Sequence, residues 1–143
     1  MTEVAFHFNV PDKVAYLCRL LRKVVQAQRR AVVCAPPDLL ARLDTALWAF
    51  SAEDFITHAT LQDPAPMQQR SSVLLADTDG QGCGNDVLVN CQADVPGGYH
   101  GYNRLIEVVG LDEADRALAR NRWKHYVAAG ITPLRHDIAV KGA

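Results

Sequence analysis

The chain has 143 residues, of which 49% are hydrophobic and 22% are charged; these values are ordinary for one globular domain and exclude a disordered chain. A formal net charge of -1 and an isoelectric point near 6.5 argue against a protein that mainly coats nucleic acid, because phosphate binding needs a concentrated excess of Lys and Arg. The N-terminus has no basic segment followed by an apolar run, and no stretch approaches the ~18 apolar residues of a membrane span. We therefore expect a single cytoplasmic domain over residues 1–143.

The first third of the chain predicts a β-α-β unit followed by a second helix. Residues 3–8 alternate polar and apolar side chains and contain β-formers, which indicates a strand. Apolar residues then recur every three or four positions from residue 12 to about 28 and predict a helix. The continuous apolar run 31–34 is typical of a strand buried on both faces of a parallel sheet. Pro36, Pro37 and Asp38 predict the start of a second helix, because proline is tolerated in the first helical turn and an acidic residue there favours the helix dipole.

The middle of the chain predicts short strands joined by loops. Residues 54–57 are interpreted as a short strand, and the Pro- and Gln-containing residues 62–69 as a surface loop. Residues 73–76 and 86–91 then predict two strands on either side of a glycine-rich connector, residues 77–85.

The last third predicts a final strand and a long helix. Residues 104–109 are rich in β-branched side chains, so we interpret them as the last strong strand. The following helix is expected over residues 112–129, with Asp112 as its N-cap and Gly130 as its C-cap, and the chain then ends in a short tail. This alternation of strands and helices predicts a three-layer α/β sandwich, with helices on both faces of a mainly parallel, Rossmann-like sheet.

Cysteine and histidine spacing gives no sign of a disulfide framework or a metal site. The four cysteines and five histidines include no CxxC or HxxxH pair, so we expect reduced thiols and no metal. Cys34 ends an apolar run and is interpreted as a small core residue.

A small Rossmann-like nucleotide-binding enzyme is the main alternative that the predicted fold raises. The turn after the first strand, residues 9–12, contains no glycine, and the glycine-rich residues 80–85 lie between two strands and open no helix. The sequence also has no GxSxG nucleophile turn. A third hypothesis, direct binding of single-stranded DNA, needs aromatic residues along a basic groove and fits poorly with the near-neutral charge.

The final predicted helix carries cations and one large aromatic residue along one side. The spacing i, i+4, i+7, i+8, i+11 brings these residues onto a shared stripe: Arg116, Arg120, Trp123, Lys124 and Val127. One interpretation is a solvated basic face whose tryptophan covers the sheet. The other is a receptor for an acidic peptide that ends in an apolar residue.

Trp48 and the aromatic residues near it form a second candidate site. Trp48 stands near the end of the second predicted helix, and Phe50 and Phe55 follow it. One interpretation is that Trp48 fills the core at helical spacing together with the leucines before it. The other is that it is an exposed anchor for a protein partner.

These two segments carry a resemblance to a known family. The sequence LDTALW at residues 43–48, with Phe55 and His58 after it, and ARNRWKHYVAAG at residues 119–130 resemble the chi subunit of the bacterial DNA polymerase III holoenzyme. The opening FHF strand and the order of elements agree, so the resemblance covers nearly the whole chain. The chain departs from the enterobacterial pattern in having Trp instead of Tyr at position 123 and a shorter connector before Arg116.

The resemblance implies a non-catalytic replication adaptor without a cofactor. In this family the last helix binds the acidic C-terminal tail of single-stranded DNA-binding protein, which ends in phenylalanine. Arg120 would pair with the terminal carboxylate and Trp123 would wall the phenylalanine pocket, while Arg116 and Lys124 would meet the aspartates. The family also binds the psi subunit of the clamp loader, and a helicase-like repair protein uses the same face. Trp48 and Phe55 match positions implicated there, and contact with DNA would be indirect.

Overall fold

The computed structural model describes residues 2–50, 56–77 and 86–139, and their strands form one seven-stranded sheet in the order β3-β4-β2-β5-β6-β1-β7. The strands are β1 Glu3–Val10, β2 Ala31–Cys34, β3 His58–Thr60, β4 Val73–Ala76, β5 Val87–Asn90, β6 Arg104–Gly110 and β7 Leu134–Asp137. The helices are α1 Lys13–Gln26, α2 Pro37–Phe50, α3 Ala65–Arg70 and α4 Glu113–Ala128, with a short 3₁₀ turn at Tyr99–Gly101. None of the helices in these ranges has the length and hydropathy that crossing a bilayer requires.

Every strand pairing among the described residues is parallel, which confirms the predicted sheet type. The central strands β2 and β5 are buried along their whole length, as expected where helices cover both faces of a sheet. β1 and β2 belong to the same sheet but are not neighbours, since β5 and β6 lie between them.

Two apolar clusters on opposite faces of the sheet confirm the three-layer arrangement. Successive residues of β2 alternate between them: Val33 belongs to the cluster under α1 and α2, and Cys34 to the cluster under α4. Leu43 of α2 is fully buried in the first cluster and Tyr126 of α4 in the second. The predicted core position of Cys34 is also confirmed, because the residue is 3% exposed. The two sheet faces therefore present different helices to solvent.

The predicted N-cap of α4, Asp112, is confirmed, and Asp12 caps α1 in the same way. Helix α1 ends at Gln26, before the predicted end near residue 28, and the C-cap of α4 is Ala129, one residue before the predicted Gly130. The Asp12 carboxylate accepts the backbone N–H of Ala15, and the Asp112 carboxylate accepts that of Asp115. Gly130 follows α4 with a φ of +87°, a conformation that glycine adopts without steric cost.

Two predictions in the middle of the chain are wrong or displaced. Residues 62–69, expected to be a loop, contain most of α3. Pro64 is the N-cap of this helix, and its missing N–H costs nothing there because backbone N–H groups at a helix start have no partner within the helix. The strand expected at residues 54–57 lies instead at His58–Thr60, in β3; residues 54 and 55 lie outside the described residues. Residues 78–85, which form most of the predicted connector 77–85, also lie outside the described residues.

The segment expected to be a tail contains the edge strand β7. Its residues are mostly exposed, so they show neither the apolar run nor the alternation from which a strand is predicted. β7 pairs in parallel with β1, and the backbone of Arg135 lies opposite Phe6. The prediction that only a short tail follows α4 is therefore wrong.

His7 joins three elements at this edge of the sheet. Its Nδ1 is hydrogen-bonded to the hydroxyl of Tyr16 on α1, and its ring lies 4.9 Å from the ring of His136 on β7. Burial, with a smaller contribution from His136, lowers the pKa of His7 to about 4.

This pKa predicts a loss of stability in acid. Between pH 6.5 and pH 4 the unfolded chain binds a proton at His7 that the folded chain does not, so the free energy of unfolding should decrease as the pH decreases. We expect His7 to account for about 1 to 2 kcal/mol of this loss, less than the full shift because its ring is only partly buried. Urea unfolding at several pH values should show a smaller loss for His7→Gln, and an equal loss in both proteins would contradict the prediction.

Candidate functional site

A buried polar network holds the last helix against the sheet. Glu107 of β6 is 0% exposed and Arg122 of α4 is 2% exposed. The Glu107 carboxylate accepts Arg122 Nε at 2.9 Å, the Tyr126 hydroxyl at 2.5 Å and Asn90 Nδ2 at 2.9 Å. Arg122 Nη1 also donates to the carbonyl oxygen of Ala93. These bonds attach one side of α4 to β5 and β6.

The network gives the buried Glu107 carboxylate a counter-ion and hydrogen-bond donors, without which burial of its charge would be energetically costly. Burial raises the pKa of Glu107, and Arg122 together with the other donors opposes that rise. Because Arg122 and Tyr126 both point to the sheet, the rotation of α4 about its own axis is fixed. The sequence pattern did not predict this network, although a glutamate in the middle of the apolar strand RLIEVV was a signal for it.

The stripe predicted on α4 lies along the flank of the helix that is next to β1. Arg116 Nη2 donates to Asn9 Oδ1 of β1 at 2.5 Å. Trp123 is half-buried, and its ring lies 5.1 Å from the ring of Phe6 at the margin of the second apolar cluster. Arg120 and Lys124 are exposed. The structure therefore places Arg116 and Trp123 against β1, while Arg120 and Lys124 share the stripe by helical spacing and face solvent.

The bonds that Arg116 and Arg120 make leave them available to a ligand. Arg120 forms an ion pair of 3.0 Å with Glu113, but both side chains are largely exposed, at 61% and 74%. Such a pair contributes about 0 to 1 kcal/mol, so an incoming carboxylate can replace it. Arg116 is bonded to an uncharged amide, which leaves its positive charge uncompensated by that contact.

Trp48 lies on the other face of the sheet and is 59% exposed, so the interpretation of Trp48 as a core residue is wrong. Its ring lies 4.9 Å from that of His58, which is 5% exposed. His58 Nε2 is 2.8 Å from Asp44 Oδ1, and its Nδ1 is 3.1 Å from the carbonyl oxygen of Ile56. The indole thus lies over a fixed imidazole. Phe55 lies outside the described residues.

An open cavity of about 520 Å³ lies beyond the carboxyl ends of β1 and β6, with Val10, Lys13, Gly110 and Asp115 in its lining. Parallel α/β sheets commonly bind ligands at this edge. Here, however, a carboxylate caps the N-terminus of each adjoining helix, Asp12 on α1 and Asp112 on α4. These carboxylates occupy and neutralise the helix ends that would otherwise bind phosphate.

The described ranges contain no group of three or more His, Cys, Asp or Glu side chains that could hold a metal ion.

Comparison with known proteins identifies a family. A family model described as DNA polymerase III chi subunit, HolC, matches residues 1–133. The DNA polymerase III subunit chi of Pseudomonas aeruginosa is 29% identical over 136 residues, covering 91% of this chain and 92% of that protein. The DNA polymerase III subunit chi of Escherichia coli strain K12 is 25% identical over 103 residues, covering 72% of this chain and 69% of that protein. The chain therefore belongs to the family of DNA polymerase III chi subunits, which are accessory proteins of DNA replication.

Proposed function

We propose that this chain is a non-catalytic replication adaptor whose last helix binds the acidic C-terminal tail of single-stranded DNA-binding protein. The observation that carries the proposal is the stripe along α4, where Arg116 and a half-buried indole, Trp123, contact β1 and the cations of Arg120 and Lys124 are exposed to solvent. Cations form charge-assisted hydrogen bonds with carboxylates, and an indole offers a flat apolar surface to a phenyl ring. A negatively charged chain end tipped with phenylalanine has both of these groups.

Each side chain has a specific task in this proposal. Arg120 leaves Glu113 and pairs with the terminal carboxylate of the tail, while Arg116 and Lys124 meet its aspartates. Trp123 forms one wall of the phenylalanine pocket, and the contact of its ring with Phe6 reduces the ordering that binding requires.

Substitution of Arg120 tests the proposal most directly. A peptide that has several aspartates and ends in Pro-Phe should bind the full chain, and Arg120→Ala should raise its dissociation constant about 10- to 100-fold, since the terminal carboxylate loses its charged partner. Fluorescence anisotropy with a labelled peptide measures this, and affinity should decrease as salt increases. Arg42→Ala is the matched control, because Arg42 is an exposed residue of α2 on the other sheet face. Equal binding by the Arg120→Ala and Arg42→Ala variants would reject this site.

We further propose that the surface around Trp48 and Phe55 binds a psi subunit, which would connect the chain to the clamp loader, and that a helicase-like repair protein uses the same surface. The exposed indole over His58 supports this, because a large aromatic side chain on a rigid support is a frequent binding anchor. α2 and α4 cover opposite faces of the sheet, so both partners could bind together. The proposed location is cytoplasmic, with DNA reached only through partners.

The carboxylate-capped helix ends beside the cavity argue against the alternative of a small nucleotide-binding enzyme, since an anionic phosphate would meet like charge there.

A further inference from the structure

The edge strand β7 places a cation, Arg135, against an aromatic side chain of β1. The guanidinium carbon of Arg135 lies 5.1 Å from the centroid of the Phe8 ring, a distance at which a cation is attracted to the face of an aromatic ring. Arg135 is exposed and Phe8 is half-buried. The ring therefore supports a cation whose charge remains in contact with solvent.

The strand register puts Arg135 on the same sheet face as α4. Arg135 pairs with Phe6, and paired residues of neighbouring parallel strands project to the same face. Phe6 contacts Trp123, and Phe6, Phe8 and Trp123 all belong to the apolar cluster under α4 or pack against it. Phe6 and Phe8 of β1 thus contact Trp123 of α4 and Arg135 of β7, respectively.

Asn9 connects the two elements at one end of this surface. Its Oδ1 accepts Arg116 of α4, and its Nδ2 donates to Asp137 of β7 at 2.9 Å. Asp137 also accepts the backbone N–H of Ala139, so the nearby acid of β7 is engaged in local bonds. No acid in the described part of the chain forms an ion pair with Arg135.

We infer that Arg135 belongs to the tail-binding surface and pairs with an aspartate side chain upstream of the tail's terminal phenylalanine. The inference rests on the proposed tail binding and extends the surface from α4 across β1 to the sheet edge. Cations on both sides of an aromatic floor match a peptide whose carboxylates flank an apolar tip. Arg120 would then pair with the free carboxylate of the chain end, and Arg135 would pair with an aspartate side chain before the terminal phenylalanine.

Binding of three peptides to the full chain separates these two roles. The first peptide has aspartates and a free terminal carboxylate, the second has a terminal amide, and the third has its aspartates changed to asparagine. For the first peptide, Arg135→Gln should raise the dissociation constant about 3- to 10-fold and reduce its salt dependence. Arg135→Lys should recover most of the affinity, and Arg42→Gln is the matched control on the other sheet face.

The other two peptides identify the peptide group that pairs with Arg135. With the amidated peptide, Arg135→Gln should still weaken binding, whereas Arg120→Ala should have little further effect. With the asparagine peptide, Arg135→Gln should change nothing. Because Arg135 is exposed, thermal unfolding of Arg135→Gln should match that of the unaltered chain.

The outcomes distinguish this inference from the proposed function. Absence of peptide binding by the unaltered chain would overturn both. Loss of binding with Arg120→Ala but equal affinity and salt dependence for Arg135→Gln and Arg42→Gln would overturn the role of Arg135 alone. An undiminished Arg135→Gln effect on the asparagine peptide would also overturn it, because the pairing with an aspartate would then be wrong.

Discussion

Replacing Arg122 with methionine is expected to reduce the free energy of unfolding by about 3 to 5 kcal/mol, the usual cost of removing one member of a buried ion pair. The Glu107 carboxylate is 0% exposed and would keep its neutral donors but lose its cation. Urea unfolding near neutral pH measures the change. Arg120→Met is the control in the same helix, because its ion pair with Glu113 is exposed and should contribute less than about 1 kcal/mol.

A second substitution shows whether the uncompensated charge is the cause. Glu107→Leu combined with Arg122→Met removes both charges, so the double variant should recover part of the stability lost in Arg122→Met. Recovery should be incomplete, since the Tyr126 hydroxyl would lose its acceptor and Asn90 Nδ2 would keep only the carbonyl oxygen of Asp94. A double variant less stable than Arg122→Met, or an Arg122→Met variant as stable as Arg120→Met, would show that the charge of Glu107 does not govern this network.

Replacing Trp48 with alanine is expected to weaken binding of a psi subunit by at least about 30-fold, equivalent to the roughly 2 kcal/mol that defines a binding hot spot. The stability of the chain should change by less than about 1 kcal/mol, because the indole is 59% exposed. Co-expression followed by co-purification and titration with a psi subunit measures the binding, and urea unfolding measures the stability.

Leu43→Ala in the same helix should have the opposite effects. Leu43 is 0% exposed in the cluster under α1 and α2, so truncation should cost about 2 to 5 kcal/mol of stability. Its side chain offers no surface to a partner, and the folded fraction of the variant should retain psi. If the Trp48→Ala variant binds psi as tightly as the unaltered chain, the proposed surface is wrong, whatever the stability of Leu43→Ala.

The opposite placement of α2 and α4 gives the adaptor proposal a mechanical basis. Leu43 fixes α2 to one face of the sheet, while Tyr126 and the Glu107 network fix α4 to the other. A fully parallel sheet buried on both faces is a stiff spacer. Partners bound to the two helices would therefore be held apart at a constant distance, and neither would block the other.

The local sequence pattern was sufficient to predict much of the fold and to predict which residues of α4 form the stripe. The apolar run 31–34 predicted β2 with its observed bounds, and Asp112 and Gly130 predicted the two ends of α4. These features depend on helix and strand periodicity and on capping chemistry, which act between residues close in the chain. For the same reason, the shared flank of Arg116, Arg120, Trp123 and Lys124 could be predicted without any tertiary information.

Only the tertiary structure decided which side of that helix is buried, that Trp48 is exposed, and that Arg135 lies near the stripe. Arg122 and Arg120 are both cations on α4, but only Arg122 has a buried partner, Glu107, fifteen residues earlier on a different element. β7 shows no apolar periodicity and exists because β1 offers it an edge more than one hundred residues earlier in the chain. Contacts of this range depend on how the elements pack, whereas sequence periodicity reports only the local conformation from which packing begins.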